Sequence, residues 1–235
     1  MTIQLYLNNT YLFESKTSIL NYGEDEKGKF IILDQTIFYP QGGGQPSDQG
    51  VIQNDYFEAS VTLVRQVDTE IRHYIGAASN EILINSIINC LVDKNRRMLN
   101  SRYHTAAHLL GNIVEILYPM LKAVKGHFFP GEAYVEFQGD VPVDVTQIQN
   151  TVDQTIAKNN KTEIFETDPA SFERQFYKLP YIIPENKKFR VIRIGDMAPV
   201  PCGGTHLSSI TEIGKILIGK VKLKNNIVRI SYEVT

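Results

Sequence analysis

Residues 93–118 read DKNRRMLNSRYHTAAHLLGNIVEILY, and the fold turns on this stretch. No proline falls between Lys94 and Tyr118. Leu99, Tyr103, Ala106, Leu110, Ile113 and Leu117 recur at helical spacing. Asp93 supplies an N-cap and Pro119 a stop, so the stretch predicts one long helix over 94–118. His104 and His108 then lie mid-helix, one turn apart on one face.

The chain before this helix has a different period. Thr2–Leu7, Tyr11–Leu20, Lys29–Phe38, Tyr56–Val67 and Ile71–Ile75 are rich in Ile, Val, Tyr, Phe and Thr. Asn-Asn, Gly-Glu-Asp-Glu-Lys-Gly and glycine-rich segments separate them. Short strands at this spacing predict a small barrel or sandwich. After the helix, strands are expected at Lys122–Phe128, Ala133–Phe137, Glu163–Phe165, Arg190–Ile194, Lys215–Leu223 and Ile227–Val234. A second helix is expected over Val145–Asn159. The expected fold is α+β: a small β-barrel domain over 1–90 and an α+β domain over 91–235.

The bulk properties exclude some classes. With 235 residues, 43% hydrophobic and 21% charged, the chain can bury a sizeable core and is not disordered. No apolar run reaches the roughly 20 residues of a bilayer span. The N-terminus lacks the pattern of a signal peptide. Two cysteines, Cys90 and Cys202, do not suggest a disulfide framework, so a cytoplasmic setting is expected. The net charge of −2 does not mark a strong nucleic-acid binder. Its distribution permits one: residues 1–93 hold 5 basic and 12 acidic side chains, and residues 187–229 hold 9 basic and 2 acidic.

A second spaced pair makes the histidines informative. Cys202 and His206, in Pro201-Cys202-Gly203-Gly204-Thr205-His206, also stand at i, i+4. An isolated histidine pair on a helix is more often packed or solvated than ligating. Two chelating pairs distant in sequence are how many zinc sites are assembled. Three imidazoles and one thiolate suit Zn2+ in a tetrahedral shell. A zinc peptidase of the HExxH type is disfavoured, because Thr105 stands where the general base Glu would follow His104.

Weaker signals come from Tyr39-Pro40-Gln41-Gly42-Gly43-Gly44-Gln45 and from the basic residues. Three consecutive glycines suit either a hairpin loop or a backbone that approaches a phosphate or ribose. Lys94, Arg96, Arg97 and Arg102 open the long helix, and Lys220, Lys222, Lys224 and Arg229 flank the last turn. Either group suits a solvated face, or phosphate contact if it borders a metal cleft.

Taken together, the Phe38–Gln45 segment, His104-Thr105-Ala106-Ala107-His108-Leu109-Leu110 and Cys202-Gly203-Gly204-Thr205-His206 resemble the editing domain of alanyl-tRNA synthetase and its freestanding relatives, the AlaX group. The resemblance implies hydrolysis of the ester joining a wrong amino acid, mainly serine and sometimes glycine, to the tRNA for alanine. It implies His104, His108, Cys202 and His206 as zinc ligands. It places Gly42, Gly43, Gly44, Gln45 and Arg229 near the tRNA. By their own chemistry Thr105 and Thr205 suit either catalytic hydroxyls beside the metal or residues that only cap or pack. Mischarged tRNA is the expected partner; no membrane and no obligate protein partner are implied. The chain departs from the family at Gln41, where an acidic residue is common, and at Asn225-Asn226, where a glycine is common. Asn tolerates left-handed backbone angles, so the turn can survive. Other readings stay open: a non-catalytic tRNA-binding module with structural zinc, another zinc hydrolase acting on a small ester or amide, or editing of another mischarged tRNA such as Ser-tRNA(Thr).

Overall fold

A computed structural model describes residues 2–175 and 187–235. The chain divides into two compact units, Met1–Ser101 and Arg102–Thr235.

The first unit is built on β strands. β1 (Ile3–Gln4) pairs in parallel with β4 (Gln35–Thr36). β2 (Glu14–Asp25), β3 (Gly28–Leu33), β5 (Gly50–Gln53), β6 (Glu58–Val67), β7 (Glu70–Ala78) and β8 (Ile87–Val92) close a barrel in the order β2-β3-β7-β6-β5-β8. The strand-rich composition thus resolves as a barrel and not a sandwich. Closure uses two short strands, β5 and β8, that the composition did not reveal. Alternating residues such as Ile31, Leu33, Ile52, Val61, Val64, Ile71 and Ile88 fill the interior. Closing the barrel pairs its edges, which leaves fewer unpaired backbone groups for association.

Arg97 opens α1 (Lys94–Leu117) and is fully buried in this unit. Its guanidinium meets the Asp48 carboxylate, with Nε donating at 2.9–3.0 Å, and donates to the carbonyls of Thr10 and Ile37. Arg96 donates to the Ser47 carbonyl. These two arginines, with Arg102, looked from the sequence like possible phosphate contacts. Their partners are instead carboxylate and carbonyl groups of their own unit. Asp93 caps α1 as expected, its Oδ1 accepting from the Arg96 N–H at 3.0 Å.

In the second unit, β9 (Lys122–His127) and β10 (Tyr134–Gln138) follow α1, then α2 (Val145–Ala157), β11 (Thr162–Thr167) and α3 (Pro169–Gln175). β12 (Phe189–Ile194), β13 (Val200–Pro201), β14 (Ile216–Lys224) and β15 (Ile227–Val234) complete it. The strands make two antiparallel sheets, β14-β15-β10-β9 and β11-β12-β13. Val135, Phe137, Val228, Ile230 and Tyr232 alternate onto the buried face of the four-stranded sheet. There the Tyr232 hydroxyl donates to the Tyr103 carbonyl of α1 at 2.8 Å. Arg102 ties the same helix to the carbonyls of Ile213 and Thr235. α2 lies along β14, where the Gln149 side chain bonds the backbone of Ile216 and Ile218. Asp144 caps α2 through the N–H groups of Thr146 and Gln147. Asn225 and Asn226 both take positive φ, 51° and 59°, so asparagine closes the β14–β15 hairpin where a glycine would be usual.

Candidate metal centre

Two elements of the second unit bring the four candidate ligands together. α1 presents His104 and His108 from successive turns, with ring centroids 5.0 Å apart. The other pair is not helical: Cys202 and His206 sit on the loop that leaves β13. Spacing i, i+4 here comes from a loop that folds back, with the Gly204 N–H donating to Cys202 Sγ at 3.3 Å. The Cys202 N–H is fixed to the Arg190 carbonyl of β12, and the Arg190 guanidinium donates to the Cys202 carbonyl at 2.6 Å. Arg190 thus grips the loop at both ends of one residue. A cation on a strand 12 residues before Cys202 carried no sequence signal of this role.

The donor atoms of His104, His108, Cys202 and His206 all lie within 4.8 Å of one another. Cys202 Sγ is 3.4 Å from His104 Nε2 and 3.2 Å from His206 Nε2. With metal–nitrogen bonds of about 2.0 Å and a metal–sulfur bond of about 2.3 Å, neighbouring donors of a tetrahedral shell sit roughly 3.5 Å apart. His108 Nε2 is buried with no hydrogen-bond partner among the described residues, a costly state that a bound cation would relieve. The residues therefore fit a zinc-like ion.

The protonation states agree. Burial drives His104 and His206 well below the ordinary histidine range and His108 down to about 4, with Arg190 adding to each shift. All three imidazoles are thus neutral and ready to donate lone pairs. Burial pushes the Cys202 thiol up to about 11, opposed by the Gly204 N–H and Arg190. A metal that binds there must displace the thiol proton.

Thr105 and Thr205 are both fully buried. Thr105 Oγ1 is 3.2 Å from His206 Nδ1 and accepts the Leu207 N–H at 3.1 Å. If Nε2 ligates an ion, Nδ1 carries the proton and donates it to Thr105, the kind of outer contact that orients a ligating imidazole. Phe128 packs its ring 4.5 Å from that of His104. A side-chain carbon at Gly126 would meet the Phe128 ring at 2.1 Å, so glycine there makes room for the packing.

Arg229 stands on the exposed face of β15, donating to Glu136 at 2.8 Å with its guanidinium 4.1 Å over the Tyr134 ring. The glycine segment belongs to the first unit. Gly42 and Gln45 exchange backbone hydrogen bonds at 3.2 and 2.9 Å around Gly43 and Gly44, whose φ angles are 53° and 84°. This is a tight reverse turn, and the double positive φ is what requires glycine. Tyr39 Oη donates to the Gly42 carbonyl, and Gln45 is buried.

Residues 7–96 match the family of class II tRNA synthetases (A), and residues 189–230 match the second additional domain of threonyl and alanyl tRNA synthetases. Both matches are to families described as tRNA synthetases or domains of them. The chain is 30% identical to alanyl-tRNA editing protein AlaX-M of Methanosarcina acetivorans, over 95% of each protein, and it belongs to the alanyl-tRNA editing protein family. It is also 31% identical to alanyl-tRNA editing protein AlaX-L of Pyrococcus horikoshii, where the match covers 99% of this chain and 58% of that protein. Against the alanine–tRNA ligase of Caldivirga maquilingensis the identity is 28%, over 97% of this chain and 26% of the ligase.

Proposed function

We propose that this chain is a trans-editing hydrolase that removes serine, and also glycine, from mischarged tRNA for alanine in the cytoplasm, with Zn2+ as its metal. The observation that carries the reading is the convergence of His104, His108, Cys202 and His206 in a chain of this family. Residues 91–235 form the editing domain, and residues 1–90 contribute the glycine turn at Gly42, Gly43, Gly44 and Gln45 to tRNA binding.

Mechanism follows from the reactivity of the substrate. An aminoacyl ester is already activated, so no covalent enzyme intermediate is needed. A zinc ion held by the four side chains would supply a Lewis acid, polarising water or fixing the substrate's amino group. The protein's own residues hold and orient. Thr105 keeps the His206 ring turned inward. Arg190 anchors the Cys202 loop and adds positive charge beside the cluster. Phe128 covers His104 and excludes water from that side. Discrimination against alanine rests on the serine hydroxyl: polar groups that pair with it are left unpaired by alanine, which costs binding.

A second reading is a tRNA-binding module with structural zinc. The donor count favours it, because four protein ligands normally close a zinc site. A deacylation assay decides between them. Mischarged Ser-tRNA(Ala), Gly-tRNA(Ala) and Ser-tRNA(Thr) are incubated with zinc-loaded protein, with Ala-tRNA(Ala) as the control. Loss of serine and glycine from tRNA(Ala) alone is expected. Intact esters throughout, with tRNA still bound, would establish the module.

A further inference from the structure

The four-stranded sheet has a second face, turned away from α1. Register places Lys222, Arg229, Glu136 and Lys125 side by side across its four strands. The next row is Lys224, Ile227, Gln138 and Lys122. On the other side of the first row stand Ser231, Tyr134 and His127. Rows two residues apart are separated by about 7 Å, so the rows together cover about 14 Å along the strands.

The first two rows carry five cations against one carboxylate. Lys122, Lys125, Lys222, Lys224 and Arg229 are exposed, and Glu136 is already neutralised by Arg229 at 2.8 Å. Lys122 has only a 3.6 Å approach to Glu115 of α1. The third row is aromatic. The His127 ring stacks on Phe129 at 4.4 Å with planes 3° apart, and lies 5.3 Å from Tyr134. Arg229 covers the Tyr134 ring from the basic side. Glu132 reaches His127 only at 3.8 Å.

We propose that this face is a docking platform for single-stranded RNA, with lysines taking the backbone phosphates and the Tyr134–His127–Phe129 rings stacking bases. Charge complementarity selects a polyanion, and aligned rings beside the cations select one that carries planar bases. The platform adjoins the metal centre. Phe128, between His127 and Phe129, turns inward onto His104. An RNA strand that runs down the lysine rows therefore ends, at the aromatic row, next to the residues packed on the cluster. This deepens the tRNA reading above and rests on it for the identity of the RNA.

The test compares wild type with the double variant Lys125→Glu/Lys222→Glu, with Tyr134→Ala and with a single charge reversal on the barrel, Lys29→Glu, as the control. Each is titrated with deacylated tRNA at several salt concentrations, with melting curves to confirm folding. The double reversal is expected to weaken binding about 100-fold or more at low salt and to reduce the slope of log K against log salt by about 2. Tyr134→Ala is expected to lose about 10-fold and keep the slope. Affinities within twofold of wild type would overturn the platform, as would an equal loss from Lys29→Glu. So would a face that binds poly-glutamate as tightly as tRNA, which would mark it as a site for an acidic protein. The catalytic reading is scored apart: wild type that deacylates Ser-tRNA(Ala) while the variants keep their affinity sinks the platform alone. Wild type that deacylates nothing while the variants lose affinity sinks the hydrolase alone.

Discussion

Thr105 is a residue whose chemistry changes once its neighbours are known. A threonine directly after a candidate ligand histidine reads as a hydroxyl available to a reaction. In the fold it is buried, and its oxygen is held between His206 Nδ1 and the Leu207 N–H. Removing the hydroxyl should loosen a ligand and leave the ligand set intact. Thr105→Val is therefore expected to lower zinc affinity about 10- to 100-fold, read by competition with a chromogenic chelator, and Thr105→Ser to keep it. Unchanged affinity in Thr105→Val would show that the contact orients nothing. His73 offers a residue-scale test in the barrel. It is fully buried between Thr36 Oγ1 at 2.8 Å and the Ile31 carbonyl at 3.1 Å. Burial brings its pKa down to about 4 from 6.5, against the Ile31 carbonyl, which raises it. Between these values the unfolded chain binds a proton that the native state refuses, so stability falls as pH drops from 6.5 to 4. The contribution is intact above the window and wholly lost below it, at a cost of about 3 kcal/mol. His73→Gln should flatten this part of the pH profile of the urea midpoint. Parallel profiles for the two proteins would refute the assignment.

Among the elements, α1 was the most legible. Its period, its Asp93 cap and its Pro119 stop all lie within the stretch itself, and the helix runs from Lys94 to Leu117. Its arginines were not legible, because their partners are far away in sequence. Asp48, 49 residues from Arg97, makes the cation a buried tie. Both side chains are fully buried, so removing one partner leaves the other charge unpaired. Asp48→Ala is expected to cost about 3–5 kcal/mol in urea unfolding, and much of that should return when Arg97→Met removes the stranded cation. Additive losses in the double variant would refute the pairing. The same limit explains the strands that composition did not reveal. β5, Gly-Val-Ile-Gln, is four residues long, and β8 joins it through a register running from Gly50 opposite Val92 to Gln53 opposite Asn89 that local sequence does not carry. β13 has two residues and exists through its pairing with β12. The four candidate ligands could be picked out because side-chain chemistry carries that signal, and the fold brings them together. Arg190 could not be picked out, because a lone arginine in a strand says nothing of the carbonyl it will grip. The Cys202–His206 spacing invited a helical explanation, whereas the fold supplies a loop held at Arg190 and Gly204.

At the scale of the whole molecule, the proposed zinc acts as a clip. His104 and Cys202 are 98 residues apart, and a common ion would close the chain between them. Closing so long a loop removes freedom chiefly from the unfolded chain, where the ends would otherwise wander. An ion that binds only the native arrangement adds stability in proportion to the logarithm of its free concentration over its dissociation constant, about 4 kcal/mol at a thousandfold excess. Stripping it exposes costs that the fold otherwise hides: a His108 Nε2 with no partner among the described residues, and three imidazoles and a thiol, buried or half-buried, with donor atoms within 4.8 Å of one another. Chelation is therefore expected to lower the melting temperature by several degrees, with the shift growing as free zinc is reduced in steps. Amide exchange should locate the loss in residues 104–117 of α1 and in residues 202–207, the two segments the ion joins. A melting temperature indifferent to chelator and zinc, in protein shown by elemental analysis to have carried the metal, would mean that the four side chains are held by packing alone. The same two segments would then show no change in exchange, and the cluster would owe nothing of its geometry to an ion.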